Sequence, residues 1–223
     1  MRIARCTPSR GLVHSRTEAA AETARVLACN DGHRWRSFWS HDLPIPTCFN
    51  DVVGRAWDWG ADLFWLLEED VAPAHPAMTF AAMMLELECG ADYVTTTYPI
   101  GHLDTGGASP LNFDGAGRMV WCATGCLLLT RRCFELMPRP WFTLRNRLVK
   151  PHVVTWDEGK DSPYGADIGF TFALYQLGLE AAVVWDDMHH LKIREFGQPQ
   201  INDGYHIIEP LTWGDKERRK WQC

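Results

Sequence analysis

The chain has 223 residues, a formal net charge of −6, and 46% hydrophobic against 22% charged residues. That balance belongs to a folded protein able to bury a sizeable core in one domain, and it argues against attachment to nucleic acid by bulk electrostatics. No apolar run reaches bilayer-spanning length, and the opening MRIARCTPSRG lacks the apolar stretch of a signal peptide. Eight cysteines without a C-x-x-C pair, several inside apolar runs, suggest buried free thiols and a reducing, cytoplasmic setting. Eleven tryptophans, Trp35 and Trp221 directly beside Arg or Lys, serve core packing or offer flat surfaces for rings and sugars.

In chain order, residues 2–6 suit a short strand, and Thr7-Pro8-Ser9-Arg10-Gly11 a tight loop. Ser15 and Glu18 spell a capping box for an Ala-rich helix through about Leu27. Asn30-Asp31-Gly32 is a turn, HRWRSFWS alternates as a strand, and HDLPIPT is an extended loop. Asn50 suits the N-cap of a helix ending near Gly60. Leu63–Leu67 is an apolar run with the length of a buried central strand, and Glu68, Glu69 and Asp70 follow at once. Carboxylates packed at the end of an apolar strand are costly to desolvate unless something positive meets them. Glu68 and Asp70, two positions apart, can address one hard cation through oxygen; a solvated turn is the alternative. If strand alternation persists, Glu69 points the other way and is structural. Pro76 opens a further helix, stopped by Gly90, and 92–98 is a strand.

Strands alternating with helices predict an α/β fold, a mixed and mostly parallel sheet flanked by helices. Ligands of such sheets bind beyond the carboxyl ends of the strands, the edge where Ser9-Arg10-Gly11 and the acidic triplet both lie. Beyond Tyr98, residues 99–112 read as a Gly-rich, substrate-facing loop, and NFDGAGRMVW as a hairpin turning at Asp114-Gly115. CATGCLLLT is a Gly-broken strand, followed by a short helix, PRPWF, and a basic segment with Arg145, Arg147 and Lys150. GADIGFTFALYQLG is a helix with Asp167 in its first turn. EAAVVW is the last expected strand, DDMHHLKI follows it, and residues 195–223 form a polar tail.

This ordered set resembles GT-A-type glycosyltransferases, similar to family-2-like enzymes and their short phage-encoded members. The features are T-P-S-R-G, Asn50, L-L-E-E-D-V, A-T-G-C-L-L-L-T-R-R-C-F with P-W-F, G-A-D-I-G-F and H-L-K, across roughly Ile3 to Ile193. The resemblance implies a Rossmann-related catalytic domain over 1–194, with a nucleotide-binding half to about residue 98 and an acceptor half over 99–194. Glu68 and Asp70 stand where the family has its D-x-D, Asp70 as direct metal ligand and Glu68 near the metal or donor ribose. His190 stands as the later metal ligand and Lys192 as a diphosphate contact. Thr7, Ser9 and Arg10, with Asn50, belong to the nucleotide pocket. Asp167 occupies the place of the base that deprotonates the acceptor hydroxyl in inverting members. Two departures stand out: Glu68 replaces an aspartate, and Ala166 replaces the acid that often precedes the base.

Each role has a plainer reading. Asp167 also suits a first-turn acid favoured by the helix dipole, Asn50 a helix cap, and Lys192 a solvated charge. His189 and His190 face opposite ways in an extended segment, so one is the ligand, and H-L-K favours His190. The expectation is a metal-dependent transfer of sugar from a nucleotide-diphosphate sugar to a hydroxyl. Mn²⁺ or Mg²⁺ is the implied ion, imidazole beside carboxylates leaning toward Mn²⁺. The acceptor would be a hydroxymethylated pyrimidine in DNA, a protein or a glycan. The alternatives are a non-catalytic nucleotide-sugar or carbohydrate-binding protein and a metal-dependent nucleotidyltransferase.

Overall fold

Strand β3 (Leu63–Leu67) is buried at every position, because both faces of the sheet it belongs to are covered. Phe64 and Leu66 enter one apolar cluster, while Leu63, Trp65 and Leu67 enter the other. An unbroken apolar run is what a strand needs when its two faces are both dry. The computed structural model describes residues 1–9, 13–41, 43–97, 111–143, 165–186, 188–194 and 206–211, and from residue 189 onward the backbone alone.

Six strands form the main sheet, in the order β2-β1-β3-β8-β5-β9. They are β1 (Arg2–Thr7), β2 (Arg34–Trp39), β3, β5 (Tyr93–Thr96), β8 (Cys126–Thr130) and β9 (Ala181–Val184). All run parallel except β8, which lies antiparallel between β3 and β5. Helices α1 (Ser15–Asn30) and α3 (Pro76–Glu88) cover one face through Ala21, Ala24, Phe80 and Met83. The other face is covered by α2 (Thr47–Asp58), the short α4 (Arg131–Glu135) and α5 (Gly165–Gln176). The expected mixed, mostly parallel α/β layer is therefore present.

Two small sheets complete the described structure. Strands β6 (Leu111–Phe113) and β7 (Met119–Cys122) make the expected hairpin. Strand β4 (Val71–Pro73), directly after the acidic triplet, pairs antiparallel with β10 (Met188–Arg194), which pairs in turn with β11 (His206–Leu211). The chain therefore holds strands beyond EAAVVW, one of them within the region read as a polar tail.

The starts of α1 and α2 differ from those read in the sequence. Helix α1 is capped by His14, whose Nδ1 accepts from the Arg16 amide at 3.0 Å. Glu18 turns away to hold Arg5, with bonds of 2.8 and 2.7 Å to its two terminal nitrogens. Arg5 is 2% exposed, and a buried guanidinium left without a counter-charge costs several kcal/mol, more than the roughly 1 kcal/mol a cap contributes. Helix α2 begins at Thr47 with Pro46 at the cap position, so Asn50 lies inside the first turn. Of the loop read over 99–112, residues 99–110 lie outside the described residues and the last two belong to β6; the basic segment Arg145–Lys150 lies wholly outside them.

Candidate active site

A cleft of about 210 Å³ opens at the carboxyl ends of β1 and β3. It is lined by Pro8 and Ser9 after β1, by Glu68, Glu69 and Asp70 after β3, and by Gly165 to Asp167 at the start of α5. Residues nearly 160 positions apart in sequence thus share one wall system, through the parallel strand order and the return of α5 over the sheet.

The acidic triplet is held from three sides. The Glu68 amide donates to the Gly125 carbonyl at 2.9 Å, and Thr124 Oγ1 donates to Glu68 Oε1 at 2.8 Å. Both contacts exist because β8 runs antiparallel to β3 with Leu67 opposite Cys126, which sets the A-T-G-C turn beside Glu68. The His14 amide donates to the Glu69 carbonyl at 2.9 Å, pinning the turn to the start of α1. The chain bends at Glu69-Asp70 rather than continuing as strand, so alternation lapses and Glu69 lines the cleft with its neighbours instead of pointing away.

Asp167 lines the same cleft from the first turn of α5. Burial pushes its carboxyl above the usual carboxylate range, opposed by bonds from the Ile168 and Asp167 backbone amides. Gly165 makes room for it: its φ is +91°, and a Cβ there would stand 2.7 Å from Asp167 Oδ1. No side chain other than hydrogen fits without displacing the carboxylate, and the left-handed φ itself favours glycine.

The other expected site residues divide. Ser9 lines the cleft, its amide bonded to Ser40 Oγ at 3.1 Å. Thr7 is fully buried on β1, accepts from Arg5 Nε at 3.0 Å, and is not among the lining residues. Asn50 clasps a backbone: its Nδ2 donates to the Phe142 carbonyl at 2.8 Å and its Oδ1 accepts from the Phe142 amide at 3.1 Å. Phe142 stacks on Phe170 of α5 with ring centroids 4.3 Å apart, so Asn50 braces the helix that carries Asp167. Register puts His190 across from Val71, the residue after Asp70, and Lys192 across from Ile208. Their side chains lie outside the described residues, as does Arg10.

Two contributors escaped the sequence reading. Thr124 is one; A-T-G-C was visible as a motif, but the partner of its hydroxyl depends on strand pairing. The other is His14, 4% exposed, held toward its neutral form by burial first and Arg16 second, with Asp70 pulling the other way. Since Nδ1 accepts a bond, the proton of the neutral ring sits on Nε2, and that atom has no hydrogen-bond partner among the described residues. Nothing in the spacing of a lone histidine before a helix announces such a position.

Among the described residues, no three His, Cys, Asp or Glu side chains group closely enough to hold an ion by themselves. The donor set still suits a hard divalent ion, because Mg²⁺ and its like are commonly held by one or two carboxylates, with substrate phosphates and water filling the remaining positions. Glu68 and Asp70 offer that pair.

No family model matches the chain, and no curated protein matches it. Among solved structures, the protein A197 from STIV is similar with a TM-score of 0.54 over 85% of both chains, at 18% identity. A glycosyltransferase involved in the glycosylation of the major capsid of PBCV-1 aligns with a TM-score of 0.36 over 63% of this chain and 70% of its own, at 11% identity. The first likeness establishes a shared Rossmann-like α/β fold. The second is too distant to carry an argument.

Proposed function

We propose that the protein is a metal-dependent glycosyltransferase that moves a sugar from a nucleotide-diphosphate donor to an acceptor hydroxyl. The observation that supports this reading is the meeting, in one cleft, of the strand-end carboxylates Glu68 and Asp70 with a separate, proton-avid Asp167. Two kinds of carboxylate would serve two purposes: Glu68 and Asp70 to hold a phosphate-bound cation, and Asp167, its carboxyl raised by burial, to accept a proton.

Asp70 and Glu68 would hold Mn²⁺ or Mg²⁺ with the help of His190, and the ion would offset the charge gathering on the departing diphosphate. Thr124 keeps the Glu68 carboxylate turned toward the cleft. Ser9, Arg10 and Thr7 mark the side on which the nucleotide would lie, Lys192 would meet the diphosphate, and Asn50 acts through Phe142. Asp167 takes the proton of the acceptor hydroxyl as its oxygen bonds to the anomeric carbon. The bond from that carbon to the diphosphate oxygen breaks, its electron pair leaving with the diphosphate, so the anomeric configuration inverts. A cytoplasmic setting agrees with the buried free thiols.

The test is incubation with a panel of nucleotide sugars and Mn²⁺, with hydroxymethylated DNA, a protein or a glycan as acceptor. Release of nucleoside diphosphate, abolished by EDTA and by Asp70→Asn, is expected. Release of pyrophosphate would instead mean nucleotidyl transfer. Donor binding without turnover by the unaltered chain would mean a binding protein.

A further inference from the structure

Strand β2 ends the main sheet, pairing with β1 on one side and with no other strand among the described residues. Register decides which of its peptide groups stay open. The Arg34 amide donates to the Met1 carbonyl at 2.9 Å, and the Ser40 amide to the Thr7 carbonyl at 3.3 Å. In a parallel ladder a strand bonds a given neighbour through alternate residues, so the even-numbered positions turn toward β1. The N–H and C=O of Trp35 and Ser37 therefore point outward. This open row stops at Trp39, whose carbonyl accepts from Arg55.

The side chains along the edge divide by face. Arg34, Arg36 and Phe38 stand across from Arg2, Ala4 and Cys6, on the face that packs against α2. Arg34 and Arg36 are exposed, and neither guanidinium meets a carboxylate among the described residues. That of Arg36 lies over the Phe38 ring, 5.2 Å from its centroid. Arg2, directly opposite Arg34, donates to the Trp59 carbonyl at 3.3 Å, and like charges so placed cost stability until an anion meets them. The acids of this face are Asp51, which engages Arg55 at 2.7 Å, Asp62, which takes the Arg2 amide at 2.6 Å, and Asp58, which lines an open cleft with Arg36 and Arg55. Four arginines against three aspartates keep the edge positive, on a chain whose net charge is −6. On the opposite face Trp35 and Trp39 flank Ser37, the first half-buried and the second 37% exposed. Both are anchored, Trp35 by a 3.1 Å bond from Nε1 to Ser37 Oγ and Trp39 beneath the Arg5 guanidinium, and together they form an apolar ledge.

Open peptide groups between a cationic row and an apolar ledge fit an added strand. Side chains on one face of any strand repeat every two residues, about 6.6 Å at 3.3 Å per residue. Acids two positions apart on an incoming segment thus match Arg34 and Arg36, and the side chains between them fall on the tryptophan ledge. We propose that the β2 edge docks an extended peptide in which acidic and apolar residues alternate, its backbone bonding to Trp35 and Ser37. A second copy of this chain is disfavoured, because two β2 edges would set arginine against arginine. Nucleic acid would use the arginines and leave the outward peptide groups without a matching repeat. Docking here is independent of any transfer in the carboxylate cleft.

The experiment is fluorescence anisotropy of labelled peptides titrated with the full chain. The probes are an alternating Glu-Val peptide, its Lys-Val counterpart, and the Glu-Val peptide N-methylated at alternate positions so that it cannot pair. The unmodified acidic peptide is expected to bind at least tenfold more tightly than either control, and less tightly as salt rises. Replacing both arginines, Arg34→Ala with Arg36→Ala, should weaken binding at least tenfold at an unchanged melting temperature. Hydrogen exchange at the Trp35 and Ser37 amides should slow at saturation, and Asp70→Asn should leave peptide binding intact. No binding of the Glu-Val peptide, equal binding of the N-methylated one, indifference to the arginine substitutions, or protection confined to amides outside β2 overturns the proposal. A thymidine oligonucleotide that binds more tightly than the peptide and slows neither amide would assign the arginines to nucleic acid, and overturns it equally.

Discussion

Asp167 is costly for the fold and would serve the proposed reaction for the same reason. Its carboxyl is raised above the unfolded value of 3.8 by burial, so the folded state keeps a proton that the unfolded state releases. The contribution to stability is most favourable below about that pH, and it falls as pH rises through the folded value. Asp167→Asn should therefore melt at a higher temperature than the parent at pH 7, with the difference vanishing below pH 3.8, as thermal scans across pH would record. The same change should lower turnover by about 10²- to 10⁴-fold, the usual worth of a general base, and remove the acid limb of the pH–rate profile. A residue kept only for structure would show the first effect without the second. At Thr124, replacement by valine keeps the shape and removes the bond to Glu68. A net hydrogen bond is worth about 0.5–1.5 kcal/mol, so Thr124→Val should raise the donor KM by roughly two- to tenfold, with a smaller change in kcat.

At the scale of elements, the start of α5 and its brace set how Asp167, the proposed base, is aimed. Gly165 has a φ of +91° and no space for a Cβ beside Asp167 Oδ1. Gly165→Ala should cut kcat by at least tenfold while the helix behind it survives, since its buried face runs through Phe170 and Leu174; steady-state kinetics and circular dichroism together check this. Asn50 makes two bonds to the Phe142 backbone, and Asn50→Leu leaves both peptide groups without partners in a half-buried place. Urea unfolding should show a loss of about 1–3 kcal/mol. The two helix starts that a sequence reader misplaces, those of α1 and α2, share one cause. A local capping pattern competes with distant demands, and a buried Arg5 seeking a carboxylate outbids a surface cap.

For the molecule as a whole, the two-faced sheet explains the cysteines. Cys6, Cys48, Cys122, Cys126 and Cys133 are buried, while Cys29 and Cys89 are exposed. Burial pushes the Cys122 and Cys133 thiols up to about 12 and that of Cys126 to about 11, which removes the reactive thiolate. Brief alkylation of the native chain, read by mass spectrometry, should mark Cys29 and Cys89 and spare those five until the chain is unfolded. Labelling of Cys122 or Cys126 at a rate like that of Cys29 would mean the sheet opens readily around β8.

The apolar run Leu63–Leu67, the alternation of strands and helices, the Pro76 and Gly90 boundaries of α3 and the hairpin at Asp114-Gly115 were all legible in the residues alone. Each depends on interactions within a few positions of the chain, where periodicity and turn chemistry rule. The acidic strand end and a first-turn Asp167 were legible too, as residue types suited to cation and proton chemistry. Tertiary structure decided that they share a cleft, that Glu69 joins them, that Thr124 holds Glu68, and that Asn50 grips Phe142. Those outcomes turn on strand order and register, which bring together groups tens of residues apart, and no local pattern encodes which of two distant partners a buried polar group will satisfy.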